Sequence, residues 1–322
     1  MHCSLFIPDF FSSENAALAS RPAAAETLIA RGRRERKAPV AREAWLFERF
    51  GTQRQLDWPV APYTLLADGG APGGRFWMRA DPVHVSVGLD TLALDGVTLD
   101  VSRAEAEALA ATLNRHFGEA LAFQTPLPER WYVGFPQAPD VRTTPPSAAR
   151  GTALADKLPT GAEATRFRAL LNEAQMLLHE HPVNTEREAR GAPTVNSVWF
   201  WGGGSLEVPR AQPFSIVLAD DPLARGLAVA ASMPARRLAG SAGTLLSALP
   251  TSGKALVVLD ASHGAELERD WFAPLLAALE EGRIGMLSLH LAGGDSLLEV
   301  ETVRSDLRHF WRTRRPVESY LA

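Results

Sequence analysis

The stretch Ala255–Gly264, ALVVLDASHG, is the clearest indication of fold class in this 322-residue chain. Its first five residues are apolar and are followed at once by Asp260, which is typical of a strand buried on both faces of a parallel sheet. Similar runs, Ser4–Pro8 and Phe214–Ala219, also end at an aspartate, and helical patterns lie between these runs. The pattern predicts an α/β protein with a mostly parallel sheet covered by helices.

Composition excludes several classes of protein. Apolar residues make up 46% and charged residues 22%, as in an ordinary globular protein. The net charge of −4 gives no overall field that would attract a polyanion. No apolar run approaches the roughly 20 residues that span a bilayer, and the start MHCSLFIPDFF lacks the features of a signal peptide. The single cysteine, Cys3, excludes an internal disulfide. We therefore predict a cytoplasmic protein with no membrane partner.

A change of pattern indicates two domains. The turn-rich stretch Ala67–Gly74, ADGGAPGG, precedes two strand patterns, a helix that should begin at the capping box of Ser102 and Glu105, and two more strand patterns. A proline-containing linker follows from Gln137. We predict an α/β core made of residues 1–74 and 138–322, and an inserted α+β unit (ββαββ) made of residues 75–137.

Polar side chains follow the apolar runs. Asp9, Asp220 and Asp260 each come directly after a predicted strand, and His263 follows three residues later. The carboxyl ends of parallel strands meet at one edge, where ligands bind in open α/β sheets. We expect these four side chains to converge there, beside a turn at Gly202–Gly204. The alternative is that each caps a helix or closes a turn.

The segment His181–Gly204, HPVNTEREARGAPTVNSVWFWGGG, carries a family resemblance. It resembles the archaeal-type cofactor-independent phosphoglycerate mutases of the alkaline-phosphatase superfamily. The residues at matching positions are Asn196, Trp199, Trp201, Gly202 and Gly204. The following stretch, Leu218–Met233, resembles the family at Asp220, Arg225 and Gly226, and ALVVLDASHG resembles its strand with a metal-ligating Asp and His. The resemblance implies an alkaline-phosphatase-like core with a small inserted unit, and Val195–Trp201 is predicted to be a strand of the large sheet.

The resemblance and the strand ends together give a candidate ligand pocket of ten residues. These are Asp9, Asn196, Trp199, Trp201, Gly202, Gly203, Asp220, Arg225, Asp260 and His263. Core packing is the alternative for the two tryptophans, and a tight turn is the alternative for the glycines.

Departures from the family pattern suggest that the chain is degenerate. The first strand ends in Pro8–Asp9–Phe10 instead of Asp-Gly, and no Ser or Thr nucleophile segment is found before Tyr63. Asp260 and His263 are three residues apart, whereas the family spacing is four. A two-metal phosphoryl-transfer site needs several ligands and an in-line nucleophile. We therefore predict no catalytic residues, no cofactor, and a regulatory or ligand-binding role.

Two alternatives remain at this point. The first is an active metal-dependent phosphomutase or phosphohydrolase, an isomerase of the phosphoglycerate mutase type, with manganese or zinc on Asp9, Asp260 and His263. The second, weaker one is a regulator that binds nucleic acid through the basic cluster Arg31–Lys37 and the C-terminal arginines 308–315. These clusters, like Arg187 and Arg190 between glutamates, are typical of solvated surface. The expected partner is a small anionic or phosphorylated ligand, not nucleic acid, and the oligomeric state stays open.

Overall fold

The structure is a computed structural model that describes residues 1–11, 22–87, 92–94, 99–149, 154–248, 252–260 and 266–320. The chain divides into two compact units, one made of Met1–Thr52 with Pro209–Ala322, and the other made of Gln53–Val208. None of the described helices is long and apolar enough to cross a membrane.

The described strands are β1 (His2–Ile7), β2 (Arg33–Lys37), β3 (Phe76–Val83), β4 (Val85–Val87), β5 (Leu92–Leu94), β6 (Ala122–Leu127), β7 (Arg130–Phe135), β8 (Ser197–Ser205), β9 (Ile216–Ala219), β10 (Ala235–Arg236), β11 (Lys254–Val258), β12 (Met286–Gly293) and β13 (Ser296–Val303). The described α-helices are α1 (Ala23–Arg31), α2 (Arg42–Arg49), α3 (Val60–Ala67), α4 (Arg103–Phe117), α5 (Pro146–Ala149), α6 (Ala164–His179), α7 (Pro182–Ala189), α8 (Pro222–Ala230), α9 (Ala242–Ala248) and α10 (Ala273–Glu280).

The first unit is built on a seven-stranded sheet with the strand order β10-β9-β11-β1-β12-β13-β2. The strands from β10 to β12 are parallel to their neighbours, and β13 and β2 are antiparallel additions at one edge. Leu5 of β1 lies between Val257 of β11 and Leu289 of β12. These apolar side chains pack with Leu28 of α1 and Leu275 of α10 in one core. The predicted α/β fold with a mostly parallel sheet and flanking helices is confirmed.

The second unit contains an antiparallel four-stranded sheet with the order β6-β7-β3-β8, and the two-stranded pair β4-β5. Helix α4 begins at the predicted capping box, in which Ser102 accepts from the Glu105 amide and Glu105 accepts from the Ser102 amide. Leu109 of α4 and Phe167 of α6 pack in one core with the sheet residues Val133 and Phe200. The helices and the sheet thus share their apolar faces.

The prediction that Val195–Trp201 belongs to the large sheet is wrong. β8 pairs antiparallel with β3 in the second unit, for example at Trp199 opposite Asp81. Side chains along β8 are buried on both of its faces, so the apolar run is compatible with either kind of sheet. Gly202–Gly204 lies inside this strand and forms no turn at its end. The residues predicted as an inserted unit, 75–137, all fall within the second unit, Gln53–Val208. That the insertion begins at 75 and ends at 137 stays a prediction.

Candidate functional site

Three of the predicted site residues line one pocket in the first unit. Asp9 follows β1, Asp220 follows β9, and Asp260 comes shortly after β11. These three strands are neighbours in the sheet and run parallel, so their carboxyl ends lie at the same edge. The pocket has a volume of about 310 Å³. His263, the fourth residue expected there, lies outside the described residues.

An arginine shares this carboxyl-edge pocket with the aspartates. Arg42 is the first residue of α2, and its Nη1 lies 3.2 Å from Oδ2 of Asp221. The Asp221 carboxylate holds the pKa of Arg42 above its usual range, and Glu43 and Asp9 contribute. Asp221 itself is fixed as the N-cap of α8, where its Oδ1 accepts from the Ala224 amide at 2.8 Å. The pocket therefore contains a permanent cation among four aspartates.

The position of Asp9 is set by an unusual backbone turn. Asp9 has a φ of +56°, a left-handed conformation that Asp tolerates better than most residues with a side chain. Gly293, at the end of the neighbouring β12, packs directly against this turn. A Cβ at Gly293 would lie 2.8 Å from the Phe11 nitrogen and 3.3 Å from the Asp9 Cα. The close approach of the two backbones thus fixes the turn from which Asp9 lines the pocket.

The family resemblance implies a two-metal centre, which the described side chains can be tested against. Within the described ranges, no group of three or more His, Cys, Asp or Glu side chains is arranged so that it could hold a metal ion. The lining carboxylates, Asp9, Asp220, Asp221 and Asp260, are accompanied by Arg42 and by no described histidine. The described side chains therefore do not fit a two-metal centre by themselves, since such a centre needs several ligands around each ion.

Three further predicted site residues make structural hydrogen bonds in the second unit. The Asn196 side chain accepts from the Val85 amide at 2.8 Å and donates to the Val85 carbonyl at 2.9 Å. Trp199 Nε1 donates to the Thr144 carbonyl at 2.8 Å, and Trp201 Nε1 donates to Asp81 Oδ2 at 2.7 Å. None of the three lines the carboxyl-edge pocket. They fasten β8 to its neighbouring strands and loops.

The glycines of β8 are explained by close packing. Gly202 has a φ of +64°, and a Cβ there would lie 2.8 Å from Val60 Cβ of α3. A Cβ at Gly203 would lie 2.9 Å from side-chain atoms of Phe76 and Met78. These positions therefore need glycine because side chains of the same unit approach the strand closely.

Arg225, the last predicted site residue, lies on α8 one turn after Asp221. It does not line the carboxyl-edge pocket, and its Nε is buried without a hydrogen-bond partner among the described residues.

A polar network that the sequence did not predict crosses three strands of the large sheet. Ser4 Oγ lies 3.0 Å from Nε2 of His290, and Nδ1 of His290 lies 3.0 Å from Oε1 of Glu299. The Glu299 carboxylate also accepts from Lys37 and Arg49. Serine, histidine and glutamate in this order resemble a hydrolytic triad. Ser4 is only 1% exposed in the middle of β1, however, so no substrate can reach its hydroxyl, and the network acts as a structural tie.

The ionisation of this network follows from its burial and charges. Burial lowers the pKa of His290, which favours the neutral imidazole. The hydrogen bond with His290, together with the contacts from Lys37 and Arg49, lowers the pKa of Glu299 to about 2. The sequence signal for the network is the matching alternation of polar residues in β1 (His2, Ser4) and β12 (Ser288, His290), which only the strand register reveals.

Comparison with known proteins agrees with the fold. A family model described as 2,3-bisphosphoglycerate-independent phosphoglycerate mutase matches residues 73–184. A phosphoglycerate mutase of this kind from Methanosarcina barkeri is 31% identical over 156 residues, which is 45% of this chain and 38% of the relative. The corresponding protein from Methanothrix thermoacetophila is 31% identical over 134 residues, which is 40% of this chain and 33% of the relative. The chain thus matches less than half of the length of these relatives.

Solved structures show the same fold over most of the chain. The cofactor-independent phosphoglycerate mutase of Thermoplasma acidophilum superposes with a TM-score of 0.50 over 98% of this chain and 94% of that one, at 18% identity. A protein of Pyrococcus horikoshii superposes with a TM-score of 0.59 over 94% of this chain and 87% of that one, at 12% identity. With the family model, the relatives and the fold in agreement, the chain is a phosphoglycerate mutase-like protein that resembles the cofactor-independent enzymes.

Proposed function

We propose that this chain does not catalyse the phosphoglycerate mutase reaction and instead has a ligand-binding or regulatory role in the cytoplasm. The observation that carries the proposal is the composition of the carboxyl-edge pocket. Its charged groups are the aspartates Asp9, Asp220, Asp221 and Asp260 and the single cation Arg42. The enzymes that the chain resembles use a Ser or Thr nucleophile and two metals, and no segment of this sequence before Tyr63 resembles the nucleophile's.

Electrostatics support the absence of turnover. Phosphoryl transfer depends on positioning and on cations that neutralise the charge of the transferring group. Four aspartates outnumber Arg42 in the pocket, and Asp221 already pairs with that arginine. The positive charge that a phosphoryl group needs would therefore have to come from bound cations, because the described lining of this pocket contains one arginine that is already paired. An arginine side chain also stays protonated in proteins and cannot serve as a general base for a hydroxyl nucleophile.

An active metal-dependent phosphomutase or phosphohydrolase is the second candidate. The observation that favours it is the convergence of Asp9, Asp220 and Asp260 at the edge where α/β sheets bind ligands. In that case Asp9, Asp260 and His263 would be the ligands of manganese or zinc. A bound metal would supply Lewis-acid polarisation of a phosphoryl oxygen.

Turnover and metal content together separate the two candidates. The purified chain is dialysed, its metal content is measured by mass spectrometry, and conversion of 3-phosphoglycerate to 2-phosphoglycerate and hydrolysis of p-nitrophenyl phosphate are followed with added manganese or zinc. We expect no turnover above the background of a buffer control and no stoichiometric divalent metal.

Two variants show whether any activity that is found depends on the pocket. Asp260→Ala removes a carboxylate from the pocket, and Glu188→Ala removes an exposed carboxylate of α7 as a matched control. Turnover that is lost in Asp260→Ala and kept in Glu188→Ala would refute the proposal in favour of the active enzyme. Turnover that survives both substitutions would come from a contaminant and leave the chain non-catalytic.

A further inference from the structure

Two basic segments that are distant in sequence meet on the surface of the first unit. One is formed by Arg31 and the edge strand β2, and the other is the C-terminal stretch Arg308–Arg315, RHFWRTRR. Together they line a pocket of about 700 Å³ and a second one of about 460 Å³ that share Arg312 and Thr313. We call these two adjoining pockets the arginine cleft.

The arginine cleft has a large excess of positive charge. Its arginines are Arg31, Arg33, Arg34, Arg312, Arg314 and Arg315. The carboxylates that line it are Asp306, whose Oδ2 accepts from the Val303 amide, and the buried Glu26. The ion pairs seen near the cleft within the described ranges, those of Lys37 with Glu35 and Glu299, involve none of the six arginines. Six arginines thus outnumber the two carboxylates that line the cleft, Asp306 and Glu26.

Backbone contacts hold several of these guanidinium groups in place. Arg312 Nη1 donates to the Arg31 carbonyl at 2.9 Å, and Arg31 Nη1 donates to the Leu307 carbonyl at 2.8 Å. Arg34 Nη1 donates to the Ile29 carbonyl at 3.1 Å, and its guanidinium lies 5.0 Å from the centre of the Tyr320 ring. A carbonyl fixes the orientation of a guanidinium without removing its net charge, and an arginine has five donor hydrogens. Donors therefore remain for phosphate oxygens.

Exposed aromatic rings lie among these arginines. Phe310 is 78% exposed and Trp311 is 64% exposed, and their rings stand nearly perpendicular with centroids 5.3 Å apart. The neighbouring His309 has its ring centroid 5.0 Å from that of Trp311. Nδ1 of His309 is buried and has no hydrogen-bond partner in the described ranges. Adjacent exposed aromatic side chains of this size mark interaction sites, and flat rings are good stacking partners for nucleobases.

We propose that the arginine cleft binds single-stranded nucleic acid, with the guanidinium groups on the phosphates and Trp311 and Phe310 stacked on the bases. Arginines spread over two adjoining pockets suit a run of phosphates along a strand better than one isolated phosphate. Stacking on a protein ring requires an unpaired base, which excludes a regular duplex as the preferred ligand. The net charge of −4 does not oppose binding, because charges beyond roughly 8 Å are screened at physiological salt.

The expected binding has two measurable components. If four to six arginines contact phosphates, the logarithm of the association constant falls with the logarithm of salt concentration with a slope of about −3 to −4. Loss of one stacked base contact should weaken binding about tenfold. The electrostatic component and the stacking component can therefore be removed separately.

The test uses fluorescence anisotropy of the whole chain with fluorescein-labelled 12-nucleotide oligo(dT) and oligo(U). A duplex of the same length and heparin serve as competitors. Trp311→Ala removes the stacking ring, and Trp311→Phe restores one. Arg33→Gln with Arg315→Gln removes two charges from the cleft, and Arg115→Gln with Arg168→Gln removes two exposed charges from the second unit as the matched control. Circular dichroism checks that each variant is folded.

We expect Trp311→Ala to bind about tenfold more weakly, Trp311→Phe to bind like the wild type, and the cleft double variant to lose between one and two units of salt slope. The control double variant should bind like the wild type. Absence of binding at 50 mM salt would overturn the proposal. Binding that duplex and heparin displace equally well, and that Trp311→Ala leaves unchanged, would also overturn it, because it would show non-specific attraction of polyanions.

Discussion

Arg187 offers the sharpest test of what stabilises the second unit. This arginine lies on α7 and its side chain is only 1% exposed. Its Nε donates to the Pro193 carbonyl at 2.7 Å, and its Nη1 donates to the Asp100 carbonyl at 2.9 Å and to Glu105 at 3.1 Å. We predict that Arg187→Met, which keeps the apolar stem and removes every donor, strongly destabilises this unit.

The magnitude follows from what the substitution leaves behind. The carbonyls of Pro193 and Asp100 lose a donor, and Glu105 loses the more buried of its two arginine partners. Removing one partner of a buried ion pair costs about 3–5 kcal/mol. Arg190→Met is the matched control, because Arg190 pairs with the same carboxylate and its side chain is 53% exposed. An exposed pair contributes about 0–1 kcal/mol, so we expect the two variants to differ by about 3 kcal/mol in the free energy of unfolding.

Urea titration followed by tryptophan fluorescence measures this difference. Trp58, Trp77, Trp131, Trp199 and Trp201 belong to the second unit, so most of the eight tryptophans report its unfolding. With a slope of about 2 kcal/mol per molar urea, the midpoint of Arg187→Met should lie about 1.5 M below that of Arg190→Met. Midpoints that differ by less than 0.5 M, an effect of about 1 kcal/mol at that slope, would refute the view that burial makes Arg187 important.

Two further predictions concern packing and pH. Gly202→Ala should lower the stability of the second unit by about 2–4 kcal/mol in the same urea titration, because its Cβ would meet Val60 at 2.8 Å. Gly73→Ala, with a similar positive φ but open space around it, should lower the stability by only about 1 kcal/mol, and equal effects would exclude the packing explanation. Glu299→Gln should be less stable than the wild type at pH 7, and this difference in stability should disappear as the pH falls from 4.5 toward 2, because the hydrogen bond with His290 lowers the pKa of the folded carboxylate to about 2. A difference in thermal unfolding that stays constant over this pH range would contradict the lowered pKa of Glu299.

The strands β1, β9 and β11 of the large sheet could be predicted because each is a largely apolar run soon followed by an aspartate. The edge strand β2 could not, because all five of its residues are charged and exposed. The position of β8 could not be predicted in the same way. A strand buried on both faces is an apolar run in a parallel sheet and also in an antiparallel sheet covered on both sides. The apolar run therefore does not indicate which strands are its neighbours. The pairing of β8 with β3 is a long-range contact that only the folded chain reveals.

Arg187 shows how a charge pattern can mislead. Arginines alternating with glutamates favour a solvated loop, yet this segment is the helix α7. At 3.6 residues per turn, Arg187 and its neighbours Glu186 and Glu188 point in different directions, so one buried cation can sit among exposed residues. Its partner Glu105 lies 82 residues away in the sequence, so no local pattern connects the two residues.

Some residues of the candidate site could likewise be predicted from the sequence, and others could not. Asp9, Asp220 and Asp260 could be placed from the sequence, because their position follows from strand ends and sheet topology alone. Arg42 could not, because it reaches the pocket from the start of a helix with no motif of its own. The two basic segments of the arginine cleft were recognised in the sequence as a weaker alternative site, but their contact could not be predicted. They are separated by some 280 residues and meet only in the folded chain, where Arg312 donates to the Arg31 carbonyl.

The distribution of similarity bears on the proposed loss of activity. The family model matches residues 73–184, which lie within the second unit, whereas the carboxyl-edge aspartates lie in the first. Packing constraints of the kind made by Leu109, Phe167 and Phe200 preserve a fold whether or not a reaction is catalysed. A catalytic edge, by contrast, needs particular ligands at particular spacings, and here Arg42 stands among the aspartates while the nucleophile segment is missing from the sequence. A fold and a matched segment can therefore be kept in a chain without the mutase reaction, which is the loss proposed for this chain. The arginine cleft shares no lining residue with the carboxyl-edge pocket, and its positive charge would attract an anionic partner.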